Sequence, residues 1–373
     1  MVRVLNIISK MDAGGAETFL MKVFRNIDNE KLIFDFLVCT PEEGLYDKEI
    51  NSMGGKIHYS APKSRNPIKS FYDTFNVVRA NKYRAVFRAS AHSLAFLDLF
   101  AAALGGADIR VMRSTNTNNP GGIMSNVLHF VFRPFLNSVT TLQLAPSTEA
   151  AIWLFGKTSV QNGKVDIIKN GVEIDKFIFN KGTREKARHE MGLSSRFVIG
   201  HVGRFQTQKN HSYLFDVFTG IKQKQNNAVL LLIGQGELES VIREKAEKFG
   251  LTDSVIFAGQ RSDIPDLLMA MDVYVFPSLY EGLPNTVVEA QATGLRCLVS
   301  DSITKEVGFT DLVQFLPLEL GPDEWAEIAL QYRTGYERRN MKVEFIEKGY
   351  DIRSTAIWLE EYFVSYLGGS DCH

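Results

Sequence analysis

Glu281 and Glu289 enclose Gly282-Leu283-Pro284-Asn285-Thr286-Val287-Val288, and these nine positions hold the ingredients of a site for an oxygen-rich ligand. Pro284 and Asn285 are strong helix-entry residues. A helix opening there leaves the amides of Asn285, Thr286 and Val287 without intrahelical partners and attractive to phosphate. Glu289 then lies about one turn inside the helix, where its two-oxygen carboxylate suits the paired hydroxyls of a ribose. Glu281 falls in the preceding loop, beyond the phosphate, where sugar hydroxyls would lie. Taken singly, either glutamate reads as a surface residue before it reads as a ligand.

Upstream, "GHVGRFQTQKNH" places Arg204 at the end of an expected strand and Lys209 five residues later, near the next helix start. Two cations at one strand end repel each other unless an anion sits between them. A diphosphate answers that need through charge-assisted bonds, which also stabilise a leaving group; two solvated basic residues are the alternative. "LLIGQGELES" sets Gly234 and Gly236 at another strand end, without the third glycine of a dinucleotide fingerprint or a convincing ribose acid after it, which disfavours a nicotinamide enzyme. "FAGQRSDIPDLL" puts Arg261 in a further strand-to-helix loop, able to lie along a nucleobase or simply to sit on the surface. In "MDAGGAETFL", Gly14 and Gly15 allow close backbone approach ahead of a helix whose amide end attracts phosphate; a plain turn is the alternative.

An open parallel sheet would gather such loops at the carboxyl ends of its strands, and the chain has the strands for it. Short β-branched runs recur with helix-compatible segments between them: "VRVLNIIS", "IFDFLVCT", "KIHYS", "AVFRAS", "IRVMRS", "TLQLAPS" and "VDIIKN", then "FVIGHVGR", "AVLLLIGQG", "VIFAGQ", "DVYVFPS" and "RCLVSD". The expected fold class is α/β with two successive parallel sheets, and 373 residues suit two domains of about 150 to 200 residues. The polar stretch from Asn170 to Met191 is expected to be a linker between them. At the far end, "TAIWLEEYFVSYL" repeats apolar residues at helical spacing, with Trp358, Tyr362 and Tyr366 on one strip and Leu359, Phe363 and Leu367 beside it, a face expected to be buried.

Composition excludes several classes. With 45% hydrophobic and 23% charged residues and a net charge of -1, the chain is neither disordered nor a nucleic-acid-binding polycation. The halves nevertheless differ: residues 1 to 170 carry 20 Lys/Arg against 14 Asp/Glu, and residues 171 to 373 carry 22 against 29. The basic run from Tyr59 to Arg88 reads as a solvated surface or as an attractor of anionic lipid or an acidic acceptor. Cys39, Cys297 and Cys372 form no disulfide framework or metal-ligand spacing, so a reducing cytoplasm is expected. The first apolar run is too short for a signal peptide, and no stretch of about 18 uncharged apolar residues occurs.

Together these motifs resemble the large retaining glycosyltransferase family with the GT-B fold, usually numbered family 4, in its bacterial capsular and exopolysaccharide branch. The resemblance runs nearly the whole chain and is strongest over residues 198 to 306. "PSLYEGLPNTVVEAQATGLRCLVSD" is similar to the family's C-terminal signature, "GRFQTQKN" to its diphosphate-binding segment, "DAGGAE" to its N-terminal glycine loop and "IIKNGVEIDKF" to its interdomain crossing.

The resemblance implies two Rossmann-like domains facing across a cleft, with the last helix crossing back. Residues 1–170 with 355–373 would bind the acceptor, and 171–354 the donor. It implies Arg204 and Lys209 on the donor diphosphate, Glu281 on the donor sugar and Glu289 on the ribose. Gly14, Gly15, Gly234, Arg261, Leu283 and the amides of residues 285 to 287 would complete donor binding. The implied reaction moves a hexosyl or N-acetylhexosaminyl group from a nucleotide-sugar, expected to be UDP-linked, to a glycan or lipid-linked acceptor with retention at the anomeric carbon. No cofactor is expected and no metal, since the sequence has no Asp-x-Asp and cations with helix amides can replace the ion.

One departure stands out. Where related transferases have a His-Ser-His pattern whose second histidine contacts the donor sugar, this chain reads "MRSTNTNN", with Arg113, Ser114 and Thr115 in those places. His92 is the candidate replacement, with a helix-start or partly buried histidine as the alternative. Thr115 and Asn116 lie where acceptor or sugar selectivity would be set. The missing histidine motivates a second possibility, a non-catalytic GT-B accessory or chaperone subunit; a sugar-phosphate phosphorylase or epimerase on the same fold is a third. "GIMSNVLHFVFRPFLNSVTTL" reads either as a core helix or as a surface segment leaning into the inner membrane leaflet of an otherwise cytoplasmic protein.

Overall fold

The computed structural model describes residues 1–12, 14–116 and 122–368; the part of "MRSTNTNN" after Asn116 and Cys372 lie outside them. The chain divides into two compact units, Met1–Gly171 with Gly349 onward, and Val172–Lys348. The first unit holds β1 (Val2–Ile7), β2 (Leu32–Val38), β3 (Ile57–Tyr59), β4 (Ala85–Ser90), β5 (Ile109–Ser114), β6 (Leu142–Ala145) and β7 (Val165–Ile167). They form one parallel sheet in the order β3-β2-β1-β4-β5-β6-β7.

The second unit holds β8 (Phe197–Val202), β9 (Ala228–Ile233), β10 (Val255–Phe257), β11 (Val273–Phe276), β12 (Cys297–Ser300) and β13 (Val313–Leu316). These too are parallel, in the order β10-β9-β8-β11-β12-β13. Every residue of β8 and of β9 is buried, as continuous apolar strands covered on both faces must be. Strand order reverses between β1 and β4 in one sheet and between β8 and β11 in the other. At such switch points the neighbouring loops part and leave a crevice.

The sequence patterning did not announce β13. It is a four-residue edge strand with an exposed glutamine at its centre, so it lacks the continuous apolar run of the interior strands.

The stretch expected to be a linker is folded, with helices at Ile174–Phe177 and Lys181–Glu190. Its charges have a structural task. Arg184 Nη1 donates to the carbonyls of Met269 and Met271, each at 2.7 Å, and Arg188 Nη1 to that of Ala270 at 2.8 Å, while both pair with Asp272. The guanidinium groups thus satisfy the carbonyls that end the helix Ile264–Ala270.

The final helix, Ile352–Gly368, joins the first unit, packing on β1, β2 and the helix Gly15–Phe24. Leu359 and Phe363 are fully buried there, whereas Tyr366 remains exposed. The crossing point demands glycine, because a Cβ on Gly171 would lie 2.7 Å from the Ile352 nitrogen. Truncating a buried phenylalanine costs about 3 to 5 kcal/mol. We therefore predict that Phe363→Ala lowers the urea midpoint of the unit formed by Met1–Gly171 and Gly349 onward by a corresponding amount; an unchanged midpoint would show that the helix does not contribute to its core.

Candidate functional site

In the second unit, the loops after β8 and β11 are stitched together. Leu279 N–H donates to Gln208 O at 2.9 Å, Gln208 Nε2 to Tyr280 O at 2.9 Å, and Asn210 Nδ2 to Pro277 O at 3.2 Å. Asn210 holds a left-handed conformation, φ 54°, which asparagine tolerates better than most residues. This stitching brings Lys209 Nζ to 2.7 Å from Glu281 Oε1, with the ammonium 4.8 Å from the centre of the Phe276 ring. The pair is close but not aligned as a hydrogen bond, and the glutamate oxygen is buried.

Beside it a pocket of about 370 Å³ opens at the ends of β8, β9 and β10, lined by Gly203, Arg204, Gly234, Gln235, Gln260 and Arg261 among others. The Lys209 side chain passes next to Gly203, since a Cβ there would lie 3.3 Å from Lys209 Cδ. Arg204, Gly234 and Arg261 thus share one pocket, and Lys209 and Glu281 share its neighbouring wall. Arg204 is exposed and has no carboxylate partner among the described residues, whereas Arg261 is clamped by Asp263 through bonds of 2.8 and 2.6 Å. Gly234 is required by backbone crowding, because a Cβ would meet Gly203 O at 2.1 Å.

The helix expected at Pro284 runs from Asn285 to Ala292. Val287 does not offer a free amide, because its N–H donates to Pro284 O at 3.1 Å. The turn that starts the helix consumes that donor and leaves the amides of Asn285 and Thr286 at the entrance. Leu283 stands half-buried in the loop just before it, and Glu289, half-buried, sits one turn along.

The first unit has its own pocket, of about 390 Å³, at the ends of β1, β4 and β5. Gly15, Thr115 and Asn116 line it together with Glu17, Arg88 and Ser90. Gly15 has open space where a side chain would stand, but a Cβ on Gly14 would lie 2.2 Å from Glu17 Oε2. The anion at this helix start is therefore the chain's own carboxylate, and burial raises its pKa.

His92 lies elsewhere. Its Nδ1 accepts from Leu94 N–H at 3.0 Å and its Nε2 donates to Ser125 O at 2.9 Å, so it caps a turn and leaves no ring nitrogen for a ligand. That matches the helix-start alternative. Arg113 is sealed inside, donating to Ile168 O and Asn170 Oδ1 at 3.1 and 2.7 Å, with its guanidinium 3.7 Å from the centre of the Phe19 ring.

The family model described as glycosyl transferases group 1 matches residues 183–313. The putative glycosyltransferase EpsF of Bacillus subtilis (strain 168) is 35% identical over 357 residues, 94% of this chain and 93% of its own. The chain belongs to the group 1 glycosyltransferases. The capsular polysaccharide biosynthesis glycosyltransferase CapH of Staphylococcus aureus is 26% identical over 386 residues, 98% of this chain and 99% of its own. The crystal structure of Anabaena HepE in complex with UDP superposes with a TM-score of 0.69 at 17% identity, covering 99% of this chain and 98% of the other. That likeness establishes the fold, two Rossmann-like domains of the GT-B class.

Behind Lys209 this glycosyltransferase buries two histidines to which its sequence motifs assign no role. His201 Nδ1 donates to Val275 O at 2.9 Å, and its ring meets that of His211 edge-on at 4.8 Å. His201 Nε2 and both nitrogens of His211 are buried without hydrogen-bond partners among the described residues. A polar residue within the otherwise apolar "FVIGHV" was the one available signal. Burial, reinforced by the Lys209 charge, pushes His211 down to about 4.

An unfolded histidine titrates near 6.5. Between that value and about 4, the unfolded chain takes up a proton that folded His211 refuses, so stability is full above the window and is lost as pH falls through it. The loss amounts to about 3 kcal/mol when complete. We predict that urea unfolding measured at pH 7 and again near pH 4 shows a smaller acid loss for His211→Phe than for the parent chain; equal losses would mean that His211 titrates normally.

Proposed function

We propose that this protein is a retaining glycosyltransferase that moves a hexosyl or N-acetylhexosaminyl group from a UDP-sugar to a glycan or lipid-linked acceptor in cell-surface polysaccharide synthesis. The observation that carries the proposal is the placement of Lys209 against Glu281 on two stitched loops, next to the pocket of Arg204 and Gly234. The polysaccharide context is supported by the name of CapH, and the UDP donor by the complex that HepE forms.

In this mechanism the second domain binds the donor. Arg204 and Lys209 take the diphosphate, and the free amides of Asn285 and Thr286 assist them at the helix start. Glu281, released from Lys209, accepts hydroxyls of the donor sugar, and Glu289 accepts those of the ribose. The first domain holds the acceptor in the pocket of Thr115 and Asn116. The acceptor oxygen bonds to the anomeric carbon on the face that the diphosphate oxygen leaves. Its proton passes to the departing phosphate, so no enzyme nucleophile is needed. Arginine, lysine and helix amides carry the leaving-group charge that a metal carries elsewhere.

Titration calorimetry with UDP and a panel of UDP-sugars tests the donor, and slow hydrolysis in the same panel tests turnover. Absence of any UDP binding would overturn the enzyme assignment. Binding without hydrolysis or transfer would favour the accessory-subunit alternative.

Two substitutions separate the roles. Lys209→Ala should lower kcat on the order of 100-fold by removing stabilisation of the leaving diphosphate, and a parental kcat would refute that role. Glu289→Ala should mainly weaken donor binding; an unchanged UDP-sugar affinity would count against the ribose contact.

A further inference from the structure

The helix Gly122–Val139 is built inside out. His129, Arg133 and Asn137, spaced four residues apart and hence on one stripe, turn toward the protein. Their side chains satisfy the carbonyls of Trp153 and Phe155 at the end of the helix Thr148–Phe155, at 2.9 Å in each case. His129 also fixes the turn at Ser93, accepting from its N–H at 3.1 Å. With that stripe committed inward, Met124, Val127, Leu128, Phe130, Val131 and Phe135 are left on the outside, and Met124 is 73% and Val131 54% exposed. The outward face of this helix carries no charged side chain among the described residues.

The apolar surface does not stop at this helix. Phe96 stacks on Phe132 at 5.8 Å and on Phe100 at 5.8 Å, and Phe100 meets Phe71 at 6.1 Å. That ladder links three neighbouring helices, and beside it Phe100 and Leu104 are exposed on Phe96–Gly105, as are Ile68 and Tyr72 on Pro67–Asn81.

Its surroundings are basic. Residues 63 to 139 contain ten Lys/Arg and three acids. All three acids are neutralised locally: Asp73 by Lys69, Asp98 by Lys63 and Arg88, and Asp108 by Arg84. Arg65, Arg79 and Lys82 are exposed without a carboxylate partner among the described residues. Arg79 follows Tyr72 by two turns and so shares its outward face.

We propose that this three-helix face docks on the surface of an anionic phospholipid bilayer, with the side chains of Gly122–Val139 entering the headgroup boundary and the flanking arginines and lysine meeting lipid phosphates. Apolar insertion and basic attraction are the two contributions that give stable peripheral binding when combined. A second copy of this chain is a poorer occupant, because a two-fold interface would set the same basic rim against itself. No helix among the described residues is long and apolar enough to cross a membrane. The inference stands independently of the donor-site assignment.

Co-sedimentation of the full chain with vesicles tests it. The chain should pellet with vesicles of phosphatidylcholine mixed with phosphatidylglycerol, and far less with phosphatidylcholine alone or at high salt. Val127→Asp combined with Val131→Asp should reduce that binding on the order of 10-fold or more, with thermal unfolding unchanged. Arg65→Glu with Arg79→Glu should reduce binding to the anionic vesicles selectively. A parent chain that stays in the supernatant overturns the proposal, as does parental binding by the aspartate pair. So does light scattering that shows a dimer dispersed by that pair while lipid is ignored.

Discussion

Three hydrogen bonds between the loops after β8 and β11 govern the architecture at this edge of the second sheet. Parallel strands deliver loops to one edge of a sheet but leave them independent, and the crevice at a switch point would let these two drift apart. Backbone and amide bonds from Gln208 and Asn210 to Pro277, Leu279 and Tyr280 remove that freedom. Lys209 and Glu281 are consequently held at contact distance although 72 residues separate them in the chain. The crowding of Gly234 against Gly203 O adds the β9 loop to the same rigid edge.

Much of this was legible in the sequence, for a physical reason. Interior strands of parallel sheets are continuous apolar runs and stand out; the edge strands β3, β7 and β10 were legible too, although the first two contain a polar residue, whereas the edge strand β13, with a glutamine among its four residues, was not. Arg204, Lys209, Gly234 and Glu281 were singled out by their places at strand ends; the structure brings Lys209 to Glu281 and puts Arg204 and Gly234 in one pocket, the glycine being required there by crowding against Gly203 O. Two features depended on details that residue types do not carry. The amide of Val287 is spent on the turn that begins its helix, and His92 is spent on capping a turn and holding Ser125.

The helix Gly122–Val139 shows a different limit. The sequence allowed a core helix or a surface segment there and did not show which face points inward. That choice was made by the unsatisfied carbonyls of Trp153 and Phe155, which take up His129, Arg133 and Asn137. Hydrogen-bond demand at one helix end thus outweighed hydrophobic burial along another. The charged stretch Lys181–Glu190 repeats the theme, since its arginines close the end of Ile264–Ala270.

Under the proposed role of the two residues, the contact between Lys209 and Glu281 would also favour one kind of guest over another. An empty pocket with a bare ammonium would draw any small anion from the surrounding solution. Here the ammonium is already matched, and a lone inorganic phosphate that takes it strands a buried carboxylate with nothing in exchange. A molecule bearing acidic oxygens at one point and hydroxyl donors a short span away would replace both halves of the pair together. The exposed Arg204 nearby would still attract small anions, so on that reading the discrimination lies at the lysine–glutamate pair alone.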